Sequence, residues 1–247
     1  MPPAKRKGTK RKVFGAVFAA LSALPLLLGG GIIAKAYSNH QIQVSNDAFV
    51  PVAWHNMRTD QIFPDYIGYS ISDKGTRAWT RQGIAKESSC EEALRKDFAE
   101  LATDKGCKTT LRATYVDIGG DIAATLAVIV FGSNDDADAA ANDEFNWAAA
   151  PGPLVYPVAF PGTASAKWTK DHAYAGDAEK VGLDIYDEPY VVAGSAGPAD
   201  GSRPVGKLTG QWKSDSRGEL SAYRNLVNNL VTTFALNFDT AMTGKPQ

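Results

Sequence analysis

Residues 108–131 read KTTLRATYVDIGGDIAATLAVIVF, and this stretch decides the fold. Leu111, Ala113 and Tyr115 alternate with Arg112 and Thr114, the period-two pattern of a strand with one buried face. Gly119-Gly120 supplies a turn, since glycine reaches the backbone conformations that tight turns need. Ile122 to Phe131 is then apolar on both faces, which places it centrally in a sheet covered on each side. The spacing predicts a β-hairpin over 108–131. With helical patterns before and after it, the expected fold class is α+β: a mainly antiparallel sheet with packed helices.

Upstream, Ser89 followed by Glu92 is a capping-box pattern, and Glu91 adds negative charge to the first helical turn. Leu94, Phe98 and Leu101 fall on one helical face, and Gly106 is a stop signal. The chain's two cysteines, Cys90 and Cys107, bracket this helix. A straight helix across the interval would hold the sulfurs roughly 25 Å apart. A bridge needs Cα atoms within about 7 Å. A Cys90–Cys107 disulfide therefore requires the helix to end near Leu101, with Thr103-Asp104-Lys105-Gly106 leading the chain back. Paired zinc-ligand cysteines would need further ligands at short spacing, and no histidine lies near them.

Further upstream, Ala48–Trp54 reads as the first buried piece, followed by short strands at Tyr66–Ser72 and, around Trp79, at Thr76–Gln82. Downstream, Ser133 starts a second helix that carries Ala137, Ala140, Ala141, Phe145 and Ala148 and stops at Pro151-Gly152-Pro153. Leu154–Phe160 and Tyr190–Ala193 read as strands, and the Gly/Pro/Ser-rich 194–207 as an exposed loop. A long helix at Glu219–Met242 closes the chain. Its stripe of Leu220, Tyr223, Val227, Leu230, Phe234 and Phe238 reads as core-facing, the alternative being a partner surface exposed until assembly.

The N-terminus sets the address. Lys5, Arg6, Lys7, Lys10, Arg11 and Lys12 precede an uncharged run over 13–34. At about 1.5 Å per residue this run covers the roughly 30 Å hydrocarbon core of a bilayer. The expected organisation is a basic cytoplasmic tail at 1–12, one transmembrane helix at 13–34, a polar stalk at 35–47 and an extracytoplasmic domain at 48–247. Ala34-Lys35-Ala36 matches a signal-cleavage site by letter, and cleavage before Tyr37 would release a secreted protein. The run is longer than a usual signal core, which favours retention in the cell membrane. Residues 1–35 hold seven of the 26 cations and none of the 27 acids, leaving the exported part at −8. An acidic domain argues against nucleic acid as a partner. The basic tail beside the apolar run suits anionic lipid headgroups.

No constellation singles out a chemistry. His40, His55 and His172 are far apart in sequence, and none has a second His or Cys within four residues. Ala193-Gly194-Ser195-Ala196-Gly197 resembles a nucleophile elbow, but Ala193 stands where the elbow needs glycine and Pro198 follows where a helix should start. Asp171 beside His172 could supply a base. Asn134, Asp135, Asp136 and Asp138 invite a calcium reading, yet acids in a first helical turn have an ordinary use against the helix dipole. Asp184, Asp187 and Glu188 form a second acidic cluster of the same standing. Trp54, Trp79, Trp147, Trp168 and Trp212 are spread evenly and read as core anchors. No phosphate-cradling or other cofactor motif occurs, so the expectation is no cofactor, no metal and no catalytic residue.

Ser89-Cys90-Glu91-Glu92-Ala93-Leu94, then Gly106-Cys107, then Leu111-Arg112-Ala113-Thr114-Tyr115 resembles a pattern in uncharacterised single-pass exported proteins of high-GC Gram-positive bacteria. It is more distantly similar to the cysteine-paired extracellular sensor domains of membrane-anchored kinases from that group. The resemblance covers the anchor and about 45 residues. It implies no catalytic residues. The expected function is a non-catalytic binding, sensing or envelope-assembly domain, with an envelope protein as a possible partner. The alternative is a cell-envelope hydrolase acting on wall glycan or peptide.

Overall fold

The structure, a computed structural model, describes residues 35–70, 76–144, 152–182, 187–200 and 217–244. The chain divides into two units, Met1–Asp47 and Ala48–Gln247. The basic tail and the apolar run at 13–34 lie outside the described residues. Among the described residues no helix is long and apolar enough to cross a membrane.

The backbone is helical over 35–49 (α1), the segment that the sequence marks as a polar stalk. Nearly all of its side chains are exposed, Tyr37, Ile42 and Val44 included. Apolar periodicity marks only helices that bury a face, so it is silent here. What permits the helix is local: no glycine or proline occurs between Gly31 and Pro51.

The second unit opens with a 3-10 turn at Val50–Val52, α2 (Ala53–Asn56) and α3 (Thr59–Ile62), with Val50 and Ala53 fully buried. Then follow β1 (Tyr66–Ile67), β2 (Trp79–Ile84), α4 (Cys90–Ala93), α5 (Lys96–Asp104), β3 (Thr109–Asp117), β4 (Ile122–Val130) and α6 (Asn134–Glu144). From residue 152 an extended stretch runs to Phe160, followed by turns and a 3-10 turn at Lys170–His172, and then come β5 (Ala175–Lys180), β6 (Tyr190–Pro198) and α7 (Arg217–Thr243). The strands form one antiparallel sheet in the order β1-β2-β3-β4-β6-β5. The β3–β4 hairpin forms as expected. Asp117 fixes its turn, accepting from the Ile122 amide at 2.8 Å while Gly120 takes φ +74°.

The sheet is covered on both faces. On one, α7 lays Tyr223, Val227, Leu230, Phe234 and Phe238 against Leu126, Val128, Tyr190 and Val192. The stripe is therefore core, and the reading of it as a waiting partner surface fails; the side chain of Leu220 lies outside the described ones. On the other face, α4, α5, α6 and the extended stretch bury Leu94, Phe98, Ala137, Leu154 and Val155 against Ala127, Ile129, Val191 and Ala193. Arg112 and Thr114, expected on a solvent face, are buried beneath this second layer.

Other expectations need correcting. Tyr190–Ala193 continues as strand to Pro198, so 194–198 is buried sheet and not loop. The reason is close packing: a Cβ on Gly194 would lie 2.8 Å from Val231 Cγ2 and 2.9 Å from Leu126 Cδ2. Glycine there serves helix–strand approach, a use that looks the same in sequence as a flexible loop. Leu154–Phe160 is extended but forms no sheet strand; its one bridge joins Val155 to Leu94. The edge strand β5, AGDAEK, has too little β-branched character to be visible in sequence. Of the expected strand at Tyr66–Ser72 only β1 forms, and 71–75 lie outside the described residues; 145–151, the end of the expected second helix, also lie outside.

The helix bracketed by cysteines is broken. Leu94 adopts an extended conformation (φ −111°, ψ 156°), and the chain restarts as α5 at Lys96. Pairing with the crossing segment holds the break open: Arg95 N donates to Leu154 O and Tyr156 N to Ala93 O, each at 2.8 Å. The break, and not an early end at Leu101, lets α5 run to Asp104 and still return. Cys90 and Cys107 are disulfide-bonded, with Cα atoms 6.5 Å apart. Ser89 Oγ caps α4 by accepting from the Glu92 amide.

Candidate functional site

Arg112, Thr114, Thr125 and Ser195 gather beneath residues 152–161, a strap that crosses the sheet. The register aligns Gly83, Thr114, Thr125, Ser195 and Gly176 in one row across five strands. The strap lies along this row and is hydrogen-bonded to it at Leu154, Val155 and Val158. Ser195 Oγ accepts from the Leu154 and Val155 amides at 2.9 and 2.8 Å. Thr125 Oγ1 accepts from Val158 N at 3.3 Å and from Trp168 Nε1 at 2.9 Å. Thr114 Oγ1 donates to Val158 O at 2.7 Å, so the 2.9 Å contact between the two threonines has Thr125 as donor. A Cβ on Gly176 would lie 2.5 Å from Leu154 N, and the Phe160 ring covers Gly83 in the same way. Small ends and hydroxyl centres let a backbone settle onto a sheet with its polar groups satisfied.

Arg112 anchors the strap's middle. It is 8 % exposed and donates to Tyr156 O at 3.3 Å and to Ser88 Oγ at 3.1 Å. Burial lowers its pKa from the ordinary arginine value, and the Glu92 carboxylate acts the other way. At the strap's flank, burial raises the Asp97 carboxyl, but the hydrogen bond and charge of Arg95 and the Phe98 amide outweigh it and leave the pKa lowered.

Where α4 and α5 meet the strap there is a recess of about 460 Å³ lined by Glu91, Lys96, Glu100, Thr103, Asp104 and Tyr156. Three carboxylates against one ammonium make it anionic. Lys96 and Glu100 are 3.8 Å apart and largely exposed, so they neutralise each other weakly. Lys170 Nζ lies 3.3 Å from the centre of the Tyr156 ring, a cation–π contact made by the chain itself.

The residues weighed from sequence are not brought together. Ser195 is wholly buried with its oxygen committed to two amides, so it has no access to a substrate. His40 is exposed on α1 and His55 on α2, where its ring lies 5.2 Å from that of Trp54. His172 Nδ1 faces Lys167 O at 3.1 Å and not Asp171. The first turn of α6 is bound into the fold: Asp136 pairs with Ser133 Oγ at 2.8 Å, Asp138 with Lys180 at 3.1 Å, and Asp187 accepts from the Asn134 amide at 3.1 Å. Glu188 is buried; Asp184 lies outside the described residues. Among the described residues no group of three or more His, Cys, Asp and Glu side chains could hold a metal ion. Trp79 and Trp168 are buried in the core and Trp54 is half-buried, while Trp147 and Trp212 lie outside the described residues.

Sequence reasoning missed Arg112, Thr114, Thr125 and Tyr156 as a set. The signal exists only once register is known, because nothing local shows that Thr114, Thr125 and Ser195 stand side by side. No family model, curated protein or solved structure matches the chain.

Proposed function

We propose that this is a membrane-anchored extracytoplasmic protein whose domain over 48–247 binds or senses a small ligand without catalysing a reaction. The observation that carries the reading is the recess, with the Cys90–Cys107 disulfide tying its two helices to the start of β3. A disulfide suits an oxidising compartment, in agreement with the orientation set by the basic tail and apolar run. The helical state of 35–49 supports retention of that run, since the candidate cleavage bond after Ala36 lies inside a helix and peptidases take extended substrates. The three carboxylates suit a small cationic ligand, and the occupied Ser195 removes the nucleophile on which a serine-hydrolase reading would rest.

Protease treatment of intact and lysed cells carrying a C-terminally tagged chain tests the topology. The tag should be cut in intact cells while the protein stays in the membrane fraction. A soluble product starting at Tyr37 would remove the anchor from the proposal. Ligand binding is tested by titrating purified full-length protein in detergent with spermidine and following Tyr156 and its neighbours by NMR. Shifts confined to the recess are expected, and they should vanish in Glu100→Gln/Asp104→Asn. An unchanged spectrum at millimolar spermidine would refute the cationic-ligand part.

A further inference from the structure

Strand β6 carries attachments on both of its faces. On the α7 face, Tyr190 O–H donates to Val50 O at 2.6 Å, and the same oxygen accepts from the Trp54 amide at 3.3 Å. These bonds pin the 3-10 turn and α2, the segment that leads into the domain from α1. Behind the phenol, the Tyr190 ring meets Phe238 edge-on at 5.3 Å, and Phe238, Phe234 and Phe63 continue as a stacked series. Five residues further along the same strand, on the opposite face, Ser195 holds the Leu154 and Val155 amides of the strap. The next strap residue, Tyr156, lines the recess. β6 is an interior strand, paired with β4 along one side and β5 along the other, so both of its edges are held by the sheet.

We propose that β6 is a coupling element, with Ser195 reporting the state of the recess wall and Tyr190 the latch that passes it to the segment 50–57. The inference rests on the reading of the recess as a ligand site and of the N-terminal segment as an anchor. Under that reading, a ligand that shifts Tyr156 strains the strap's bonds to Ser195, and the strand transmits the strain to residues 50–57. Coupling of this kind is a free energy shared between two places, so it is reciprocal: loosening either attachment should loosen the other.

Hydrogen exchange on the full chain in detergent tests it without any ligand. Tyr190→Phe keeps the ring and removes both bonds. It should raise exchange at least tenfold at residues 53–57 and also measurably at 154–156. Ser195→Ala should do the reverse, and the effects in the double variant should be less than multiplicative. The amides of the β3–β4 hairpin should lose only the protection that the variant's fall in global stability accounts for, while the two attached segments lose more. Phe238→Leu disturbs the latch from behind while leaving its hydrogen-bonding groups, and should loosen the same two segments should Tyr190→Phe not fold. Variants that loosen only their own side of the strand, or that raise exchange uniformly, would overturn the coupling. Because no ligand is needed, failure here leaves spermidine binding as a separate question, and failure of that binding leaves the exchange result standing.

Discussion

Replacing both cysteines by alanine removes the one covalent constraint on the α4–α5 arm. The disulfide spans a sequence separation of 17 residues, and the loop-closure relation for a loop of this size gives about 3 kcal/mol at 25 °C. The native arm has little reason to collapse when the bridge goes. Leu94 and Phe98 remain in the core, and the Arg95–Leu154 and Tyr156–Ala93 backbone bonds still hold the break. The loss should therefore come from extra freedom in the unfolded chain, with the fold retained. Against a typical stability of about 5–15 kcal/mol this is a large fraction. For a domain of this size it corresponds to a fall in melting temperature of roughly 6–12 °C. The assay is urea unfolding of the full-length protein in detergent, oxidised wild type against Cys90→Ala/Cys107→Ala, with reduced wild type as control. Reduced wild type and the double variant should coincide. A loss below about 1 kcal/mol would refute the loop-entropy reasoning and would mean that the strap already restricts the arm as much as the bridge does.

Ser195→Ala should destabilise by roughly 2–5 kcal/mol, since it leaves two buried amides without an acceptor; a change within about 0.5 kcal/mol in the same unfolding assay would show that the strap finds other partners. Gly194→Val should cost about 1–3 kcal/mol or more by overpacking against Val231 and Leu126, and trimming Val231→Ala should recover part of it. Stability should also fall at alkaline pH. Burial raises the Tyr115 phenol well above its ordinary value, and pushes Tyr190 up from 10.0 to about 12, the Trp54 and Ala53 amides opposing. A raised folded pKa gives stability that is full below the unfolded value and lost as pH rises through the folded one. The decline should therefore begin near pH 10, and Tyr190→Phe should flatten it between about pH 10 and 12.

Legibility followed locality. The hairpin was readable because 108–131 carries its own alternation, turn glycines and apolar second strand. The closing helix was readable because Tyr223 to Phe238 falls at helical spacing. The break at Leu94 was not, since nothing between Ser89 and Leu101 opposes a continuous helix; the partner that opens it, Val155, is some 60 residues away. β6 was half-read for a related reason. Gly194, Ser195 and Gly197 carry loop composition, and only a helix and a strap pressed against them make small residues the right choice.

By itself the sequence determined an α+β chain with a basic, apolar N-terminus, an acidic domain, a central hairpin and two cysteines either side of a helical pattern. Each of these is written in neighbouring residues through periodicity, charge or spacing. Tertiary structure alone decided what the polar residues do. Thr114, Thr125 and Ser195 become a row only when antiparallel register sets them side by side, and Arg112 becomes a buried anchor only because the strap crosses above it. Their roles come from contacts across 40 or so residues of chain, and no local pattern encodes a contact at that range.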